Sequence, residues 1–70
     1  MRYAYEELVT KALSENATQD DINKLGKWFE QYGDTYWNGE VFTIDASHDL
    51  KPIYIEVAED EFELSHYEIV

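Results

Sequence analysis

The chain contains no cysteine. Disulfide scaffolds, thiolate zinc sites and thiol nucleophiles are therefore excluded. No apolar run comes near the roughly 18 residues that suggest a membrane-spanning helix, and the first residues lack a signal-peptide pattern. A soluble cytoplasmic protein is the expectation. Internal repeats and low-complexity tracts are absent too. Basic residues are scarce: five Lys and Arg stand against sixteen Asp and Glu, for a formal charge of −11. A surface of this sign repels phosphates, which argues against direct contact with nucleic acid or an anionic membrane.

What remains is enough for one small folded domain. The 70 residues are 44% hydrophobic and 16% aromatic, too rich for a disordered acidic tail. A compact chain of this mass exposes roughly 4,600 Å² and buries about 60% of its unfolded surface, so the core must be small. The charge is uneven. Residues 1–27 hold five acids and four bases, whereas residues 28–70 hold eleven acids against the single base Lys51. In the second half the carboxylates alternate with apolar residues, which places them on a folded surface rather than in a solvated block.

Hydrophobic periodicity changes once along the chain. Tyr5, Leu8, Val9, Ala12 and Leu13 recur at helical spacing, predicting a helix over about 3–15. Thr18 followed by Asp21 resembles a capping box opening a second helix over about 19–32. Its stripe is Ile22, Leu25, Phe29 and Tyr32, with Trp28 at the edge and Gly33 as terminator. Gly26 inside this helix predicts a close approach to the first one. Beyond Gly33 the period becomes two. Asn38-Gly39 marks a turn, and strands are expected over about 40–45, 53–57 and 61–69. Pro52 belongs at a strand start or on an unpaired edge. Phe62 and Leu64 are even-numbered whereas Tyr67 and Ile69 are odd, so a bulge near Ser65-His66 would restore the alternation. The reading is α+β: an N-terminal antiparallel helix pair packed on a three-stranded antiparallel β-meander. A third helix over Tyr54–Glu59 is the rival assignment.

Catalytic chemistry finds little support. His48 and His66 neighbour Ser47 and Ser65 in sequence, but adjacency does not make a nucleophile–base pair, and a turn or surface role accounts for both. Carboxylate pairs arise by chance in so acidic a chain. No enzyme activity and no cofactor are expected. Asp34, Asn38, Gly39, Val41 and Asp45 partly follow the calcium loop of an EF-hand. Tyr36 and Phe42 stand where that loop needs ligands, and a strand replaces its second helix. A weak calcium module is the least favoured of the functional readings.

Charge carries the leading one. Residues two apart in a strand share a face at roughly 7 Å, so Glu61 and Glu63 form a row, with Glu59 and Asp60 in the adjoining turn and Glu56 on the neighbouring strand. Like charges held this close repel, with no evident return inside the monomer. Attraction to a basic partner would supply one, and grooves that hold nucleic acid are lined with Lys and Arg. Tyr36, Trp37 and Tyr54 have the make-up of interface anchors beside those acids.

Several segments, namely Ala17-Thr18-Gln19-Asp20-Asp21-Ile22-Asn23, Gly26-Lys27-Trp28-Phe29-Glu30-Gln31-Tyr32-Gly33, Tyr36-Trp37-Asn38-Gly39-Glu40, Pro52-Ile53-Tyr54 and Glu59-Asp60-Glu61-Phe62-Glu63, carry a resemblance. From about Ala17 onward the chain resembles a family of short acidic proteins encoded on phages and conjugative elements of Gram-positive bacteria. The resemblance implies a setting, the bacterial cytoplasm and a mobile element, and no particular site residue. Small acidic proteins in that setting often oppose host-defence nucleases. The expected function is a non-enzymatic module binding a basic protein surface, with nucleic-acid mimicry as its mechanism. The alternative is a structural or regulatory homodimer without mimicry.

Overall fold

A computed structural model describes residues 2–70, with side chains described from Tyr5 onward. The element order is α1 (Arg2–Ala12), α2 (Gln19–Tyr32), a 3₁₀ turn (Asp34–Tyr36), β1 (Phe42–Asp45), β2 (His48–Ala58) and β3 (Glu61–Ile69). The strands form one antiparallel sheet in the order β1-β2-β3. The α+β helix pair and β-meander are thus the observed architecture.

The helices run antiparallel because Tyr5, near the start of α1, meets Trp28 and Phe29 near the end of α2, at ring-centroid distances of 4.6 and 5.9 Å. Thr18 and Asp21 form the expected reciprocal capping box at the start of α2. Asp21 N–H donates to Thr18 Oγ1 at 3.2 Å, and Thr18 N–H donates to Asp21 Oδ2 at 3.1 Å. Leu25, Phe29, Leu50, Ile44, Ala12 and Tyr67 make the buried core.

Gly26 serves a different contact from the expected one. A Cβ there would run into the ring of Tyr67 on β3, so the glycine seats α2 on the sheet instead of on α1. Gly33 ends α2 with its N–H on the Phe29 carbonyl at 2.8 Å. Asn38 and Gly39 turn the chain as expected. Gly39 takes φ 102, a region open to glycine, and Asn38 Oδ1 accepts from the N–H groups of Glu40 and Val41.

Strand β2 is longer than the alternation suggests, beginning at His48 instead of at about 53, with only a tight turn between it and β1. Pro52 lies within it, opposite Tyr67. The Asp49 carbonyl accepts from Val70 N–H across the β3 side, so by alternation Pro52 turns its backbone nitrogen toward β1. There β1 has already ended, since Phe42 pairs with Leu50. The proline therefore removes no ladder bond. The expected bulge is present: Ile53 pairs with His66 and Tyr54 with Leu64, leaving Ser65 extra. Tyr54–Ala58 pair with β3 and are strand, which removes the rival third helix.

Candidate functional site

Past Leu50 the sheet narrows to two strands, and past Ile53 those two leave the core. Every residue from Tyr54 through Glu63 is exposed, on both faces of the ribbon. Phe62 remains 63% exposed and Ile55 49%. The molecule extends 40 × 27 × 22 Å along its principal axes. Its surface of 5202 Å² exceeds the roughly 4,600 Å² of a compact chain of this mass.

Residues 52–70 carry Glu56, Glu59, Asp60, Glu61, Glu63 and Glu68 and no lysine or arginine. Backbone pairing distributes these charges. Glu63 stands opposite Ile55 and Glu61 opposite Ala58, so the two acids share the face with Ile55. Glu56 is opposite Phe62 and points to the other face, the one that carries Tyr54 and Leu64. Glu59 and Asp60 form the tip, where Asp60 adopts the left-handed conformation at φ 61 that aspartate tolerates better than most residues. The hairpin thus shows carboxylates on both faces and at its end, with Tyr54, Ile55, Val57 and Phe62 among them. Among the described residues none of these five hairpin carboxylates has a salt-bridge partner. Two of the helical lysines are paired, Lys11 with Glu7 at 3.9 Å and Lys24 with Asp20 at 3.1 Å.

The three aromatic candidates separate. Tyr36 is half-buried, stacked on Tyr5 at 5.7 Å and edge-on to Phe29 at 5.3 Å, and so belongs to the core's aromatic cluster. Trp37 is exposed and leans on Phe42 at 4.7 Å. Tyr54 is exposed at the root of the hairpin. Trp37 and Tyr54 line one cleft of about 580 Å³. Composition alone could not divide neighbouring Tyr36 and Trp37; the 3₁₀ turn does so by turning one inward.

The residues of the calcium-like segment are engaged in turns. Asn38 caps its own loop, and Asp45 Oδ1 accepts from Ser47 N–H at 2.8 Å, His48 N–H at 2.9 Å and the His48 ring at 3.1 Å. Those hydrogen bonds, the Ser47 N–H first, hold the Asp45 carboxyl below the usual aspartate range. His66 bridges Ser65 and Glu68 on the sheet surface. Among the described residues, no group of three or more His, Cys, Asp or Glu converges as metal ligands would. Among the described residues, no helix is long and apolar enough to cross a membrane.

Sequence reasoning missed Glu30, Asp34 and Tyr67, which line the cleft with Trp37 and Tyr54. The i, i+4 spacing of Glu30 and Asp34 was the available signal, but it reads equally as a solvated helix face. Comparison with family models, with curated proteins and with solved structures finds no match for this chain.

Proposed function

We propose that this protein is a non-enzymatic binding module of a mobile element, and that its acidic hairpin occupies the basic, nucleic-acid-binding surface of another protein such as a host-defence nuclease. The observation that carries this reading is the placement of Glu56, Glu59, Asp60, Glu61 and Glu63 on a ribbon that stands clear of the core without a single basic residue. Cross-strand pairing gives the charges a fixed spacing, and a spaced row of anions is what a groove built for phosphates recognises. Tyr54, exposed on the face that carries Glu56, and Trp37, which shares its cleft, add anchoring area. The resemblance to short acidic proteins of phages and conjugative elements supports the setting.

The test joins capture to competition. The protein immobilised in lysate of its native host should retain a nucleic-acid-binding partner that elutes early in a salt gradient and is displaced by duplex DNA. Replacing Glu59, Glu61 and Glu63 together by Lys should abolish capture. Retention through high salt, or by the charge-reversed variant, would refute the mimicry.

A second reading, a homodimer, is favoured by the exposed Ile55, Val57 and Phe62 on the hairpin. Sedimentation decides between them: a tight dimer that buries the hairpin leaves no acidic face for a basic partner.

A further inference from the structure

The cleft beside the hairpin root has features that charge mimicry alone does not use. It opens where the end of α2, the 3₁₀ turn and the middle of β2 meet, with a volume of about 580 Å³. Trp37, Phe42 and Tyr54 supply aromatic surface, while Glu30 and Asp34 supply two carboxylates. Among the described residues neither carboxylate has a salt-bridge partner. Glu30 lies in the last turn of α2, which contains no basic residue. A carboxylate there opposes the negative end of the helix dipole, and a cation would relieve it.

A second observation points the same way. Tyr67 is only 3% exposed and lines the cleft, yet its hydroxyl is buried with no hydrogen-bond partner in acceptable geometry. Buried polar groups are nearly always paired, and an orphaned one costs stability. Burial pushes its pKa up most; the Glu30 carboxylate, an acceptor close by but short of hydrogen-bond geometry, and then Tyr54 push it further, and both are members of the same cleft. The phenol is therefore neutral at ordinary pH, and its oxygen is free to accept.

We propose that the cleft receives an arginine side chain of the partner, its guanidinium stacked on Trp37 and Tyr54, donating to Glu30, Asp34 and the Tyr67 hydroxyl oxygen. This deepens the protein-binding reading by naming the group on the basic surface that is held individually. Arginine fits better than lysine: the planar guanidinium stacks on aromatic faces and presents five donors to several acceptors at once. An ammonium is a compact, strongly hydrated point charge with three donors. A phosphate or nucleotide would meet two carboxylates and is excluded by sign.

The test uses the whole protein and no partner. Blocked arginine (N-acetyl-arginine amide) is titrated while the Trp37 indole and Tyr54 ring signals are followed by NMR. Blocked lysine and blocked citrulline, the latter isosteric but uncharged, serve as controls. Saturable shifts are expected, with arginine tighter than citrulline by about tenfold or more, the size of one charge-assisted hydrogen bond. Glu30→Gln combined with Asp34→Asn should weaken arginine to the citrulline level. Tyr67→Phe should melt no lower than the parent, since it removes an orphan, and should still weaken arginine severalfold. Equal binding of arginine and citrulline, no saturable shift, or unchanged binding in these variants would overturn the proposal. The two readings fail separately. The Glu59, Glu61 and Glu63 charge reversal leaves the cleft intact, so it should lose the partner yet keep blocked arginine.

Discussion

Asp45 closes the turn between β1 and β2 by gathering two backbone N–H groups and the His48 ring on one oxygen. Asp21 does the corresponding work at the start of α2, where the Thr18 N–H is the largest influence holding its carboxyl below the usual range. In both cases the fold prefers the ionised form. A depressed folded-state pKa contributes stability that is complete above the unfolded value, near 3.9 for aspartate, and disappears as pH falls through the lower folded value. The melting temperature should therefore drop below about pH 4, and the Asp21→Asn, Asp45→Asn double variant should show a shallower drop over the same window. Circular-dichroism melts from neutral pH downward measure it. Parallel acid limbs in parent and variant would assign the loss to other groups. Thr18 and Asp21 were readable as a cap from their spacing alone. The role of Asp45 was not, because an aspartate before Ala-Ser-His offers the same letters to a turn, a strand end or a metal loop.

At the scale of elements, two side chains of α2 decide how the helix meets the sheet. Tyr67 turns its backbone away from β2, toward the open edge of β3. Asn23 Oδ1 accepts from the Tyr67 N–H at 3.1 Å, and Gln19 Nε2 donates to the Tyr67 carbonyl at 2.7 Å. The two satisfy an edge that would otherwise offer itself to another strand. Asn23→Ala orphans that N–H and should cost about 1–3 kcal/mol. For a domain of this size that lowers the melting temperature by roughly 4–8 °C per kcal/mol. Hydrogen exchange at the Tyr67 amide should accelerate in the variant; an unchanged amide would mean that the clip carries no weight. Helix existence, strand order and the Ser65 bulge were legible because each leaves a period or a break of period in the chain. The Gln19–Asn23 clip was illegible, since both residues read as the polar face of α2 until the sheet is placed. Pro52 masked the first five residues of β2 because only the register shows that β1 has ended beside it. The same limit governs the candidate site: exposure of the acids followed from alternation, but the assignment of Glu56 to the face opposite Glu61 and Glu63 needed the pairing.

For the molecule as a whole, the role proposed for the hairpin sets function against stability. Its carboxylates sit on a narrow ribbon outside the core, where nothing among the described residues offsets them by a salt bridge. Repulsion between exposed charges roughly 7 Å apart is modest but real, and it is screened as the Debye length falls from about 10 Å at 0.1 M salt to about 3 Å at 1 M. If the acids are kept for a partner, removing them should help the free protein. Glu61→Gln with Glu63→Gln should raise the melting temperature by about 1–3 °C at low salt, and the gap should close as salt is added. The same variant should lose affinity for the captured partner, the usual exchange between activity and stability at a functional surface. A variant that melts lower than the parent at low salt would show that these carboxylates stabilise the monomer. The need for an external cation, and with it the argument for a basic groove as the hairpin's destination, would then be gone.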